Sequence, residues 1–389
     1  MTRNLIYSDT IADFRGILAS PGAILLEGNE VIASGTPQEI GATDAVPLKV
    51  NGLVIPPFAN VHAHLDLSGV GPKPAEDSFV SWVETIVTPI RKTSSLEDVF
   101  TATNRGIDLS ISGGSAMVGD IASTIDVANQ VHQSVLRGIS FVEVFGMGER
   151  QELAIEAMNA IPVSHGISPH APYSCGVDVY RAAIASGKPV ATHLAETLEE
   201  LESAMHGVGE FVALAKKIGT WNEQVEQWDD HPVDVLLKIL GEQSMIAVHM
   251  NYIEDTHLAL LANTNVTVAY CPRASAYFGH ANHRFQEMLA HGISVALGTD
   301  SLICLDTPDR ISVLDEMRFL YKEGCREPST LLSMATVNGA KALGEDPSLL
   351  TLEKGPIAGL LLIETGDGCA FETAMSASTP PKWITPLLA

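Results

Sequence analysis

The 389-residue sequence has little cysteine, and the cysteines it has are scattered. Their odd number and the lack of any Cys-x-x-Cys pair argue against a disulfide framework and against a structural zinc knot. A reducing, cytoplasmic location is therefore expected, and the residues that follow Met1 do not resemble a signal peptide. The five cysteines are Cys175, Cys271, Cys304, Cys325 and Cys369.

Positive charge and long apolar runs are also scarce. Lys and Arg total 23 against 47 Asp and Glu, which gives a formal net charge of −24. This charge argues against binding to phosphate backbones or to anionic lipid surfaces. Apolar runs such as residues 358–363 are far shorter than the roughly 18 residues that a membrane span needs. A small-molecule substrate is therefore expected, with no nucleic acid and no membrane as partner.

Hydrophobic residues make up 46% of the chain, which is enough for a large buried core. The first 57 residues alternate short apolar stretches with Gly, Asn and Pro, a pattern typical of short antiparallel strands. From residue 58, apolar runs of strand length alternate with helical stretches, which predicts repeated βα units. The predicted strands cover residues 53–61, 114–120, 138–145, 163–168, 189–193, 245–249, 266–271 and 293–300.

Eight such units predict an α/β fold, a (β/α)₈ TIM barrel over residues 58–351 with its active site at the C-terminal ends of the strands. Residues 1–57 and 352–389, the latter again strand-like, are predicted to combine into one small β-sandwich domain. Residues 220–232 are predicted to form an extended loop. The predicted helices include residues 98–110, 196–218, 233–240 and 254–261.

Side chains that suit a metal ion stand at the ends of four predicted strands. His62 and His64 end the first strand and, being two residues apart, point to the same side of an extended chain. His193, His249 and Asp300 end the fifth, sixth and eighth strands. A single histidine at a strand end is more often a structural residue, so the prediction depends on the whole set. Three imidazoles and one carboxylate suit Zn²⁺ or Fe²⁺ and leave a position for water.

The same residues resemble motifs of the amidohydrolase superfamily. Residues 52–66, which contain His62-Ala63-His64, are similar to its first-strand motif, and residues 192–197 resemble its fifth-strand HxxE motif. Val248-His249 and residues 298–301 are similar to its sixth- and eighth-strand signatures. The resemblance covers almost the whole chain. It points to the branch of cytosine, guanine, S-adenosylhomocysteine and aminodeoxyfutalosine deaminases and triazine hydrolases.

The resemblance implies one divalent metal ion, Zn²⁺ in preference to Fe²⁺, held by His62, His64, His193 and Asp300. Two-metal members of the superfamily typically have a carboxylated Lys at the end of the fourth strand. Residues 164–170 contain no Lys, which favours a single metal. Glu143 on the third strand, as a bridge to a second metal, is the alternative.

The resemblance also implies catalytic roles for Glu196, His249 and Asp300. A bound metal ion lowers the pKa of water from about 15.7 towards 7, which supplies hydroxide at neutral pH. Asp300, helped by His249, is expected to accept the proton of that water. Glu196 is expected to protonate a ring nitrogen of the substrate and then to pass a proton to the departing ammonia. The alternative for Glu196 is a carboxylate in the first turn of a helix, stabilised by the helix dipole.

Four residues are candidates for substrate contacts. His170 resembles a fourth-strand residue that faces the substrate in the nucleoside-deaminase branch, and its alternative is a loop anchor. Trp82 and Glu84 follow the first strand, in a region that covers the site in that branch, although Trp82 fits plain helix core equally well. Arg273, after the seventh strand, is either a clamp for a substrate carboxylate or a structural ion-pair partner.

The combined expectation is a metal-dependent aminohydrolase that releases ammonia from a purine-like base or nucleoside, with aminodeoxyfutalosine as the first named candidate. The alternatives are hydrolysis of a ring amide, carbamate or chloro-triazine at the same site, and a metal-free scaffold or binding protein. Superfamily members are often dimers, so a homodimer is expected. The histidines interpreted as structural or exposed are His132, His165, His206, His231, His257, His283 and His291.

Overall fold

The structure, a computed structural model, describes residues 3–366, 370–385 and 387 of the chain. Cys369 lies outside these residues. The strands are β1 (Arg3–Ser8), β2 (Thr10–Asp13), β3 (Gly16–Ala19), β4 (Gly22–Glu27), β5 (Glu30–Gly35), β6 (Val46–Lys49), β7 (Gly52–Ile55), β8 (Phe58–Ala63), β9 (Ser115–Ala122), β10 (Arg137–Val144), β11 (Gly166–Pro169), β12 (Ala191–Leu194), β13 (Ser244–His249), β14 (Asn265–Tyr270), β15 (Ser294–Leu297), β16 (Gly355–Pro356), β17 (Leu361–Glu364) and β18 (Lys382–Trp383).

Helices lie between most of the later strands, and a π-helical turn, Val83–Val87, joins the second helix to the third. The helices are α1 (Pro37–Ile40), α2 (Phe79–Trp82), α3 (Thr88–Thr93), α4 (Leu96–Ser112), α5 (Ile125–His132), α6 (Arg150–Asn159), α7 (Val177–Ala185), α8 (Leu198–His206), α9 (Glu210–Lys217), α10 (Pro232–Leu240), α11 (Asp255–Leu261), α12 (Pro272–Tyr277), α13 (Phe285–Ala290), α14 (Val313–Lys322), α15 (Pro328–Ala335), α16 (Val337–Ala342) and α17 (Ala370–Ser376). Among the described residues, none of the helices combines the length and the apolar character needed to cross a membrane.

Strands β8 to β15 form a TIM-barrel-like α/β arrangement. They make two four-stranded parallel sheets, in the orders β11-β10-β9-β8 and β12-β13-β14-β15. Two isolated parallel bridges link the sheets, Ile167 with Val190 at one seam and Ala63 with Asp300 at the other. Every residue of β8 and β9 is buried, as expected for parallel strands covered on both faces. The C-terminal ends of these strands carry the predicted site residues.

The remaining strands form two five-stranded sheets, in the orders β16-β5-β4-β1-β6 and β18-β17-β7-β2-β3. Both sheets combine strands from the N-terminal 55 residues with strands that follow residue 354. Apolar side chains from both sheets share one buried cluster, which includes Ile6, Ile24, Val54 and Leu362. Strands from the N-terminal 55 residues and strands beyond residue 354 therefore pair within the same sheets. The C-terminal part is not all strand, because it also contains α17.

Each of the eight predicted strands overlaps an observed strand, but one is divided. The predicted strand over residues 53–61 becomes β7 and β8, which pair in different sheets. Pro56 and Pro57 separate them, because proline has no backbone N–H to donate to a sheet. The predicted strand over residues 163–168 begins only at Gly166, and Val163 is 91% exposed.

The predicted helix over residues 196–218 is likewise divided, into α8 and α9. Gly207 and Gly209 both have positive φ, 62° and 92°, so the chain leaves the right-handed helix between them. The helix also begins at Leu198, with Thr197 as its N-cap. Glu196 therefore lies just before the helix and not in its first turn.

Gly119 shows how tightly the strands that carry the site are packed. A Cβ atom at this position of β9 would lie 2.4 Å from the carbonyl oxygen of Val61 and 2.9 Å from Leu343 Cδ2. We expect Gly119→Ala to destabilise the fold by about 1–3 kcal/mol through overpacking, which differential scanning calorimetry would detect as a lower Tm. Gly366→Ala is the control, since none of the residues that the structure describes lies within 4 Å of its added Cβ. Equal Tm values for the two variants would contradict this packing.

Candidate active site

The predicted metal-binding side chains lie beyond the strand ends in two overlapping groups, His62–His64–Asp300 and His62–His193–His249, each with ligand atoms within 4.8 Å of one another. The Nε2 atoms of His193 and His64 lie 3.4 Å apart. Asp300 Oδ1 lies 3.6 Å from His64 Nε2 and 3.9 Å from His62 Nε2. The rings of His62 and His193 have centroids 5.0 Å apart. Residues separated by up to 238 positions in the sequence therefore share one buried cluster.

These separations suit a single tetrahedral ion. Two ligand atoms about 2.1 Å from Zn²⁺ lie about 3.4 Å from each other at the tetrahedral angle. Among the described residues, His62 Nδ1, His62 Nε2 and His64 Nδ1 are buried without a hydrogen-bond partner. Buried polar atoms normally have a partner, so a shared cation is a natural explanation for those that face the cluster. The residues present fit a divalent metal ion.

Backbone contacts hold the ligand side chains in their orientation. His193 Nδ1 lies 2.8 Å from the carbonyl oxygen of His170, so Nδ1–H donates there and Nε2 faces the cluster as an acceptor. Asp300 lies just beyond β15, with a positive φ of 61°. Its backbone N–H donates to the carbonyl oxygen of His62 at 3.0 Å, and its Oδ1 accepts from the N–H of Ser301 at 2.6 Å. The first and eighth strands of the barrel-like unit are thus tied together at the site.

Burial keeps the imidazoles neutral in the absence of a metal. Burial, followed by the charges of neighbouring histidines, holds the pKa values of His62, His64 and His249 well below their usual range. The same effect lowers the pKa of His193 to about 4. Burial raises the pKa of Asp300 to about 6. Neutral imidazoles are the form that binds a metal ion.

Glu196 and His249 lie beside this cluster and contact each other. Glu196 Oε1 lies 3.2 Å from His249 Nε2, which in turn lies 4.0 Å from Asp300 Oδ2. Burial, and then the charges of Asp300 and Glu200, raise the pKa of Glu196 well above its usual range. The raised pKa favours the protonated form of Glu196 in the metal-free protein, and a protonated carboxyl can donate a proton.

A cavity of about 300 Å³ opens onto the cluster. One part of its wall is aromatic and aliphatic, and another part is polar. His170 and Trp82, two of the four candidates for substrate contacts, line it. The other lining residues include Leu67, Phe79, Val83, Val87, Phe145, Tyr173 and Phe278 on the apolar part and Arg91, Glu143, His193, Glu196 and Asp300 on the polar part.

Glu84 and Arg273 are not among the residues that line this cavity. Glu84 pairs with Lys217 at the surface. Arg273 is buried, with Nε 2.7 Å from Glu316 Oε1 and Nη1 2.9 Å from Asp306 Oδ1. Glu316 and Asp306 pair with the Arg273 guanidinium, which favours the structural ion-pair alternative over the substrate clamp.

Sequence reasoning missed a second buried polar cluster behind the cavity. Arg91 lines the cavity and is bound to the buried carboxylate of Asp66, which also accepts the N–H of Ser123 at 3.3 Å. Glu143, considered only as a metal bridge, lies 3.8 Å from His170 Nε2. Asp66 follows the His-Ala-His run by two residues, and this position next to the motif is the sequence feature that could have indicated a role for Asp66 near the site. No sequence pattern connects it to Arg91, which lies in α3.

The comparisons with known proteins agree with this geometry. A family model described as the amidohydrolase family matches residues 53–388. The 5-methylthioadenosine/S-adenosylhomocysteine deaminase of Pyrococcus furiosus is 25% identical over 367 residues, which cover 87% of this chain and 82% of the relative. The crystal structure of Helicobacter pylori aminofutalosine deaminase superimposes with a TM-score of 0.78 at 17% identity, covering 99% of this chain and 98% of the other.

A further similar structure is that of atrazine chlorohydrolase from Arthrobacter aurescens in complex with zinc. Its TM-score is 0.73 at 17% identity, with 97% of this chain and 92% of the other covered. A TIM-barrel-like fold with imidazoles and a carboxylate converging at the strand ends defines a hydrolase of the metal-assisted class. The chain belongs to the amidohydrolase family, whose model matches most of its length, and is a hydrolase that acts on carbon–nitrogen bonds. The family predicted from the motifs is thus confirmed.

The buried carboxyl of Asp120 generates a prediction about stability. Its Oδ1 accepts the N–H of Leu65 at 3.1 Å, while Oδ2 has no partner among the described residues. Burial, and then the charge of Asp66, raise its pKa to about 8. An unfolded Asp ionises near 3.9, so the contribution of this group to stability is complete below about pH 4 and is lost as pH rises towards 8.

We therefore expect the Tm of metal-free Asp120→Asn, relative to wild type, to increase between about pH 4 and pH 8. The asparagine keeps the acceptor for Leu65 but cannot ionise. Thermal unfolding of chelator-treated protein across this range measures the difference. Asp108→Asn, at an exposed position of α4, is the control for the loss of one carboxylate. A flat difference for Asp120→Asn would contradict the raised pKa.

Proposed function

We propose that the chain is a metal-dependent aminohydrolase that releases ammonia from an amino-substituted purine-like base or nucleoside. The observation that carries this proposal is the contact of the Glu196 carboxyl with His249, 3.2 Å apart. This pair lies beside two overlapping groups of metal-type ligands, His62–His64–Asp300 and His62–His193–His249. A proton donor and a metal-type ligand set facing one cavity are what hydrolytic deamination requires. The names of the deaminase relatives support the same reaction.

One divalent ion, Zn²⁺ in preference to Fe²⁺, would be held by His62, His64, His193 and Asp300. Such an ion supplies acidity, because it brings the pKa of water from about 15.7 towards neutral pH. The zinc in the structure of the atrazine chlorohydrolase supports the choice of metal. The short separation of the His64 and His193 nitrogens, 3.4 Å, supports a shared ion.

The protein's own residues would move the protons. Asp300 and His249 lie where they can accept the proton of an attacking water, since both face the cluster. Glu196 would donate its proton to the ring nitrogen next to the amine-bearing carbon. It would then take up the proton that Asp300 and His249 accepted from the water and pass it to the leaving ammonia. The second proton of the water, released as the carbonyl forms, would return to Glu196. Each such transfer typically contributes 10²- to 10⁴-fold. Burial raises the pKa of Glu196 in the metal-free protein, which favours the protonated form that can donate.

His170 and the apolar wall would position the substrate. His170 Nδ1 lies 2.7 Å from Ser174 Oγ, which fixes the ring with Nε2 towards the cavity and Glu143. Trp82 packs edge-on against Phe278, with ring centroids 5.0 Å apart. Flat aromatic and aliphatic surfaces of this kind suit a planar heterocycle.

We also propose that the two parallel sheets close into an eight-stranded barrel over residues 58–351, through the bridges at Ile167 and Ala63. The two five-stranded sheets from residues 1–57 and 352–389 would pack as one β-sandwich domain, supported by their common apolar cluster. A small-molecule substrate is part of the proposed function. A homodimer and a cytoplasmic location stay predictions.

An ammonia-release screen tests the proposed function. The panel contains nucleobases, pterins and nucleosides, with 5-methylthioadenosine, S-adenosylhomocysteine and aminodeoxyfutalosine included, and the protein is loaded with Zn²⁺ or Fe²⁺. Ammonia from at least one purine-like amine is expected. Turnover of ring amides, carbamates or chloro-triazines without ammonia from any amine would replace deamination by the alternative hydrolysis. Failure to retain metal and to turn over any member would favour a binding protein.

Substitution of Glu196 tests its role as proton donor. We expect Glu196→Gln to retain its metal ion and to lose on the order of 10²- to 10⁴-fold in kcat, because an amide cannot transfer the proton. Steady-state kinetics and metal analysis of the purified variant measure both quantities. Glu202→Gln, on the exposed side of α8, is the matched control and should be fully active. Full activity of Glu196→Gln would refute the assignment.

A further inference from the structure

Glu196 projects from a segment that belongs to neither a strand nor a helix. Strand β12 ends at Leu194 and α8 begins at Leu198. The preceding residue, Ala195, has a positive φ of 50°, which is strained for a residue with a side chain. Regular secondary structure therefore does not fix the backbone of Glu196, and other contacts must hold it in place.

The carboxylate of Glu200 holds this segment from the helix side. Glu200 Oε1 accepts the N–H of Ala195 at 2.8 Å, and Oε2 accepts the N–H of Glu196 at 2.9 Å. Glu200 is fully buried in the first turn of α8. Both of its oxygens are thus occupied by successive backbone N–H groups that have no place in a helix or a strand.

Asn251 holds the same segment from the neighbouring strand end. Its Nδ2 donates to the carbonyl oxygen of Glu196 at 3.0 Å, while its Oδ1 accepts from Ser275 Oγ at 3.0 Å. Asn251 follows β13 by two residues, just after His249. The N–H of Tyr252 also donates to the carbonyl oxygen of Ala195 at 3.0 Å.

The two side chains therefore bind both backbone polar groups of Glu196, Glu200 its N–H and Asn251 its C=O. We propose that Glu200 and Asn251 are positioning residues, which fix the backbone of Glu196 so that its carboxyl meets the substrate and His249. This inference rests on the proposed role of Glu196 in the reaction. Misplacement of a catalytic group by about 1 Å can cost on the order of 100-fold in rate.

The hydrogen bonds of Glu200 and Asn251 to the backbone of Ala195 and Glu196 are called the bracket below. The first experiment measures how strongly the bracket restrains this segment, and it needs no substrate. Hydrogen–deuterium exchange is followed by mass spectrometry for a peptide that covers residues 190–200 in metal-loaded protein. We expect Asn251→Ala and Glu200→Gln each to speed exchange in this peptide, because each removes an acceptor or donor that restrains it. Ser275→Ala is the matched control, since the bond from Asn251 to Glu196 remains. Unchanged exchange in both variants would overturn the bracket.

The second experiment asks whether the bracket acts through Glu196. We expect Asn251→Ala to lower kcat on the order of 100-fold, with metal content and KM close to those of wild type. Glu200→Gln, which keeps one acceptor oxygen, should lose less activity than Glu200→Ala. If Asn251→Ala folds poorly, Asn251→Ser is used in the same comparison.

A double-mutant cycle separates positioning from general structural damage. Added to Glu196→Gln, Asn251→Ala should cause little further loss of kcat, because the group that it positions is already gone. Losses that multiply would overturn the positioning role. Full activity of Glu196→Gln would instead defeat the proposed role of Glu196, and the exchange data would still decide whether the bracket exists.

Discussion

The site depends on the burial of several imidazoles and carboxylates within a few ångströms of one another. His64 Nε2 lies 3.4 Å from His193 Nε2 and 3.6 Å from Asp300 Oδ1. Such groups are costly to bury unless something pairs with them. A divalent cation provides a common partner, and it turns an unfavourable cluster into a binding site. The unpartnered histidine nitrogens and the shifted pKa values are both consequences of this one arrangement.

The scaffold meets this requirement through the connections just beyond the strand ends. Ala195, His249 and Asp300 each have positive φ, and each lies where a strand passes into its loop. Strain of this kind persists only where surrounding contacts enforce it. The contacts here are hydrogen bonds between neighbouring strand ends, such as that from the N–H of Asp300 to the carbonyl oxygen of His62. The geometry of the site is therefore a property of the parallel strands acting together.

The pattern of apolar runs is sufficient to predict the alternation of strands and helices. The polar residues at the strand ends predict the convergence of His62, His193 and Asp300, because parallel strands bring their C-terminal ends to one edge. What could not be predicted depends on contacts between distant residues. The ion pairs of Arg273 with Glu316, and the position of Arg91 in the cavity wall, have no local signature. Local chemistry explains the divided elements better, since Pro56-Pro57 and Gly207 are visible in the sequence as residues that interrupt a strand and a helix.

The most direct test of the shared-ion hypothesis is anomalous diffraction at the zinc edge from crystals of the protein loaded with Zn²⁺. One peak is predicted within about 2.0–2.2 Å of nitrogen or oxygen atoms of His62, His64, His193 and Asp300. A peak bound elsewhere would contradict it. Two peaks, with the second on Glu143, would show that the single-ion assignment is wrong.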